Sequence, residues 1–184
     1  MENEIYSDIK SRMSKTIEHY MHEIAIIRTG RASADILDSV KVDYYGSLSP
    51  LKNIAHVSVP EAQSISIQPF DPTSLEAIEK AIVASDLGLS PNNDGNLIRL
   101  SIPALTEDRR KELVKIVHKI IEEGRVAIRN LRREANEQLK ALEKSHDLSE
   151  DNLKRSLDNI QELTDDYIKK LNDIQDSKEK EILS

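Results

Sequence analysis

The chain predicts an α+β fold, a bundle of three long helices with a small α/β unit inserted between the first helix and the second. Three observations predict it. Residues 2–29, 107–144 and the stretch after Ser149 carry apolar residues at steps of three or four, which is the helical period. From Val40 to Ile102 the period drops to two, as in half-buried strands. Neither the first helix nor the last two can bury an apolar stripe comfortably alone, so all three must share one core. Residues 1–29 and 107–184 therefore form one discontinuous domain, and 30–106 form the insert. Two connections cross the junction, near 29–33 and 102–106. Gly30 and Pro103 in them permit a hinge, and the double link restricts free tumbling.

The first helix presents Ile5, Ile9, Met13, Ile17, Tyr20, Ile24 and Ile27 on one face, and Gly30 supplies its stop. Val40-Lys-Val42-Asp-Tyr44 alternates as a strand and runs into a turn at Tyr45-Gly46. Val57-Ser-Val59, Ile65-Ser-Ile67 and the segment 97–102 are further short strands. Asp71 caps a helix that has Pro72 at its first position. That helix turns Leu75, Ile78 and Ile82 inward and ends before Gly88. Asn92-Asn93-Asp94-Gly95-Asn96 has the chemistry of a loop.

Thr106 caps the second long helix, whose 38 residues would reach about 57 Å at about 1.5 Å per residue. Its apolar line reads Leu113, Ile116, Val117, Ile120, Ala127, Leu131, Ala135, Leu139 and Leu142. Gly124 interrupts that line and marks a close approach between helices. Ser149 caps the third helix, with Leu148 and Leu153 as its hydrophobic staple. Leu153, Leu157, Ile160, Leu163 or Thr164, Tyr167, Leu171 and Ile174 continue the seam.

Charge is unevenly spread. The formal net charge is -7 overall, and only residues 107–144 are positive, with 11 Lys/Arg against 8 Asp/Glu. Arg125, Arg129, Arg132 and Arg133 share an arc of about 100° on that helix, with Asn136 inside it. Lys111, Lys115, His118 and Lys140 extend the line. The stripe lies away from the predicted seam and has few acids along it, so its guanidinium groups are expected to stay wet. A positive face on a negative chain fits a polyanion docked at one place. Arg suits RNA because its planar fork matches phosphate oxygens and stacks on bases. The alternative is a solvated helix face on a coiled-coil adaptor.

Other chemistry is poorly supported. There is no cysteine, hence no disulfide framework, thiol nucleophile or Cys-ligated zinc. No apolar run is long enough to span a membrane, and the acidic N-terminus lacks a signal-peptide core. Cytoplasmic location is expected. Aromatic residues make up 3% of the chain, which suits thin aliphatic cores in an elongated molecule. His19 and His22 could ligate a metal at their spacing, but no third ligand accompanies them. No carboxylate pairing, phosphate cradle or nucleophile elbow is present, so neither an enzyme nor a cofactor is expected.

Arg28-Thr29-Gly30-Arg31 straddles the first linker, with Pro103-Ala104-Leu105 in the second. A charged helix end accounts for Arg28 and Gly30 and less well for Arg31. Arg109 and Arg110 follow the first-turn acids Glu107 and Asp108, and could serve RNA contact or an interdomain salt bridge.

Four segments carry a resemblance. Ile27-Arg-Thr-Gly-Arg-Ala32, Tyr44-Tyr-Gly46 with Pro50-Leu51, 102–110 and 125–133 are similar to the signature segments of the bacterial ribosome recycling factor family. They occur in order over essentially the whole chain. The resemblance implies an L-shaped molecule of about transfer-RNA size, with a three-helix bundle and a β/α/β sandwich. It implies a non-enzymatic factor, expected to be a monomer, that acts after termination. The bundle would bind ribosomal RNA of the large subunit through Arg110, Arg129, Arg132 and Arg133. Elongation factor G, with GTP, would push the small domain so that the subunits separate from messenger RNA. Arg28 and Arg31 would lie near the hinge.

Overall fold

A computed structural model describes residues 2–184. Backbone contacts divide the chain into two compact units, Met1–Thr29 with Glu107–Ser184, and Gly30–Thr106.

The helical unit consists of α1 (Glu2–Ala25), α4 (Glu107–Lys144) and α5 (Glu150–Leu183). Their inner faces meet along Ile9, Met13 and Ile17 of α1, Val117, Ile121 and Ile128 of α4, and Ile160, Tyr167 and Leu171 of α5, all buried. Gly124 lies inside this core. A Cβ there would come 3.1 Å from Tyr20 Cδ2 and 3.3 Å from both Leu171 methyls, so glycine lets three helices converge at one level. The Ser149 side chain accepts a hydrogen bond from the Asn152 amide and caps α5.

Two features depart from the predicted bundle. The first helix ends at Ala25 rather than at residue 29. Its last turn tightens, with Ile27 N donating to Ile24 O, and the chain then leaves helical geometry ahead of Gly30. In α4 the buried line is Leu113, Val117, Ile121, Gly124, Ile128, Ala135 and Leu139. Ile121 and Ile128 were absent from the predicted seam, whereas Ile116, which was included, is 41% exposed. Spacing alone does not select between adjacent apolar residues such as Ile120 and Ile121, and the partner helices turn α4 away from the predicted facing.

The inserted unit contains a hairpin of β1 (Lys41–Tyr44) and β2 (Ser47–Pro50), then a short α2 (Leu51–Ile54). A four-stranded antiparallel sheet follows, in the order β3-β4-β6-β5. Its strands are β3 (Ala55–Glu61), β4 (Ser64–Pro69), β5 (Pro91–Asn93) and β6 (Ile98–Ser101). Between β4 and β5 runs α3 (Leu75–Ala84), entered through a 3-10 turn capped by Asp71, which accepts from the Thr73 amide. Ile65 opposes Leu100 and Ile67 opposes Ile98 across the sheet, and all four are buried with Ile78 and Ile82 of α3.

Three elements here had no sequence signal. Ser-Leu-Ser-Pro and Pro-Asn-Asn are poor strand sequences, and both pair only because a neighbouring strand lies alongside. Part of the predicted loop 92–96 is therefore strand. The four-residue α2 is too short to show a period. Val59 is 41% exposed, because a register shift between Ser58 and Glu61 breaks the alternation of β3.

Candidate nucleic-acid interface

The position of the arginines follows from the corrected seam. With Ile121, Gly124, Ile128 and Ala135 inward, Arg125 and Arg132 fall on the flank toward α5, while Arg129 and Arg133 point further out, at about 100° per residue.

Arg125 retains 20% side-chain exposure. Its Nε and Nη2 donate to Asn172 Oδ1 at 3.0 and 2.7 Å, Nη2 to Gln175 Oε1 at 3.0 Å and Nη1 to Glu122 Oε2 at 3.0 Å. This corrects the expectation of a fully wet stripe, since Arg125 knits α4 to α5. Glu122 also accepts from Arg129 Nη1 at 3.2 Å. Its carboxyl is held below the usual range by hydrogen bonds from Arg125 and then Arg129. The stripe thus has an acid of its own, and Arg129 is 41% exposed beside it.

Arg132 differs. Its Nη1 donates to a neutral amide, Gln161 Oε1, at 2.7 Å. Gln161 in turn donates to Asp165 at 2.8 Å. Two polar atoms of this flank, Arg132 Nε and Asn136 Oδ1, are buried without a hydrogen-bond partner among the described residues. Arg133 is exposed and forms no ion pair with any described residue. Lys111, Lys115 and Lys140 are exposed as well. His118 is engaged with Glu179 of α5, a contact that its spacing did not reveal.

Arg110 sits apart from this cluster. Its Nη1 donates to Leu183 O at 3.3 Å, at the C-terminus of α5, and its Nε is buried without a partner. Arg109 pairs with Glu112 at 2.8 Å. The cationic edge available to a ligand therefore centres on Arg129, Arg132 and Arg133, with Asn136 beside them.

Around the linkers, Thr29 is buried and its hydroxyl donates to Glu181 Oε1 at 2.7 Å. Gly30 adopts a left-handed φ of 72°, and a Cβ on it would stand 2.9 Å from Leu105 Cγ. Arg28 and Arg31 are exposed, as are Pro103 and Ala104. His19 lies 3.4 Å from Glu23. Among the described residues no group of three or more His, Cys, Asp or Glu could hold a metal ion. No described helix is long and apolar enough to cross a membrane.

A three-helix bundle with one arginine-rich flank, interrupted by a small antiparallel α/β unit, defines a class of fold with solved relatives. A solution structure of the ribosome recycling factor matches with a TM-score of 0.77 at 46% identity, covering 99% of this chain and 97% of that one. Models of the T. thermophilus ribosome recycling factor and E. coli elongation factor G bound to the E. coli post-termination complex match with a TM-score of 0.65 at 47% identity, over all of both chains. The family profile described as "Ribosome recycling factor" matches residues 20–183. Proteins named ribosome-recycling factor from Bacillus subtilis (strain 168) and Listeria monocytogenes serotype 4a (strain HCC23) are 50% and 53% identical over 183 residues, covering 100% of this chain and 99% of each relative. The chain belongs to the ribosome recycling factor family.

Proposed function

We propose that this protein recycles ribosomes after termination: with elongation factor G and GTP it splits the post-termination complex, freeing it from messenger RNA so that the subunits can be reused. Its partners are the large ribosomal subunit and elongation factor G, and its place is the cytoplasm. It performs no covalent chemistry and uses no cofactor; GTP is consumed by its partner.

The observation that carries this reading is the outer edge of α4. Arg133 is exposed, and Arg132 is held by a neutral amide rather than by a carboxylate. Both keep their charge for phosphate oxygens. Such contacts release counterions, so binding is firm at low salt and reversible at higher salt. Arg129 and Asn136 complete the edge. Arg125 and Arg110 act mainly within the bundle, shaping the surface that RNA meets.

The second part of the reading is mechanical. Long rigid helices hold the protein on the subunit, and the linkers at 29–33 and 102–106 let the inserted domain swing when the partner pushes it. The left-handed Gly30 packed against Leu105 supports a defined pivot rather than a slack tether. The test is whether the purified protein, with elongation factor G and GTP, breaks down post-termination polysomes. Polysomes that persist at saturating amounts of both proteins would refute the proposal.

A further inference from the structure

Four polar side chains are buried among the described residues: Thr29, Ser74, Thr164 and Lys178. Two are satisfied within a turn of their own chain. Ser74 Oγ donates to Asp71 O, and Thr164 Oγ1 donates to Ile160 O, each at 2.7 Å. The other two converge on a single carboxylate. Thr29 Oγ1 donates to Glu181 Oε1 at 2.7 Å, and Lys178 Nζ lies 3.3 Å from Glu181 Oε2.

The division of exposure gives the arrangement a direction. The Lys178 side chain is 8% exposed and that of Glu181 is 41% exposed. A desolvated ammonium needs a counter-ion, and breaking such a pair leaves the charge stranded. Lys178 therefore holds Glu181 by one oxygen and leaves the other for Thr29. The contact joins residues 152 positions apart.

Thr29 is the last residue of the helical unit before Gly30, yet α1 ends at Ala25. Residues 26–29 lie beyond the regular helix, and Ile26 among them is 67% exposed. Their attachment to the bundle cannot come from helical hydrogen bonding alone. We infer that Glu181 and Lys178 are positioning residues, which pin the first linker to the bundle at Thr29 so that swinging begins at Gly30. This rests on the hinged reading above. A push on the inserted domain turns it about a pivot only where the pivot is fixed. With Thr29 loose, the segment after Ile27 would lose this anchor, and part of the push would be absorbed in the linker.

The test uses the full chain. Thr29→Val keeps the shape and removes the donor, Thr29→Ser keeps the donor, and Lys178→Met frees Glu181. Hydrogen exchange at the amides of Ile26 and Ile27, which donate to His22 O and Ile24 O, should speed up about tenfold or more in Thr29→Val, the equilibrium worth of one hydrogen bond to a charged group. It should rise in the same direction in Lys178→Met and stay near wild type in Thr29→Ser. Affinity for salt-washed large subunits should be unchanged in all three. Polysome breakdown with elongation factor G and GTP should slow several-fold in Thr29→Val alone of the threonine pair. Unchanged exchange in Thr29→Val, equal behaviour of Ser and Val, or subunit affinity falling in step with the rate would each overturn the inference. Should the wild type itself fail to break down polysomes, the proposed function falls, while the exchange data still decide whether the tie exists.

Discussion

Arg125 places both Nε and Nη2 on one oxygen of Asn172, at 3.0 and 2.7 Å. An arginine on a cationic stripe is thereby converted into a cross-brace between α4 and α5. Arg133, two helical turns further on, has no such tie and is exposed. The two should separate cleanly in experiment. Arg125→Ala should lower stability in urea melts by about 1–3 kcal/mol, since it strips hydrogen bonds from partly buried Asn172 and Gln175. Arg133→Ala should melt like the wild type.

The seam of α4 can be checked by truncation. Ile128 is 0% exposed, and Ile128→Ala should cost about 2–5 kcal/mol through lost burial and an unfilled cavity. Leu131 is only partly buried, and Leu131→Ala should cost clearly less. Equal losses in paired urea melts would mean the helix is rotated from the position described.

Gly124→Ala sets two effects against each other. Alanine gains about 1 kcal/mol of helix propensity. Its methyl would press on Tyr20 from α1 and Leu171 from α5, at 3.1 and 3.3 Å, and overpacking of this kind costs about 1–3 kcal/mol. With helices on two sides neither neighbour can retreat freely, so a net destabilisation is expected, read as a lower midpoint of thermal unfolding.

Acid should loosen the contact between α1 and α4. Arg12 donates to both oxygens of Glu134, at 2.6 and 2.8 Å, and those hydrogen bonds lower the glutamate's pKa. A carboxyl whose folded pKa lies below its unfolded value adds stability that is fully present above the unfolded value and is lost as pH falls through the folded one. The pair is solvent-exposed, so the effect is modest. Glu134→Gln should be slightly less stable than the wild type at neutral pH and match it at low pH, so the acid limb of stability against pH flattens.

Much of this was legible in the chain, and the misses have physical causes. Long stripes such as Ile9, Met13 and Ile17 fix a helix because each burial repeats the same period. Asp71-Pro72 declared its cap for the same local reason. The α4 seam was misread where isoleucines stand side by side, at Ile120 and Ile121: either can face inward, and only the partner helices choose. The strands Ser47–Pro50 and Pro91–Asn93 are dictated by their neighbours rather than by their own residues. Among the arginines, spacing gave the shared arc but could not show that Asn172, Gln175 and Gln161 would meet it from α5. The tie between Thr29 and Glu181 was invisible, because a threonine and a glutamate so far apart in sequence carry no joint pattern.

The central claim is that the outer edge of α4 meets phosphates through Arg132 and Arg133. The most direct measurement is the affinity of wild type and the Arg132→Ala/Arg133→Ala variant for purified large subunits at several salt concentrations. The account predicts weaker binding and a logarithmic salt slope shallower by roughly one for each guanidinium lost, with the fold intact by circular dichroism. Affinity and slope matching wild type at every salt concentration would contradict it.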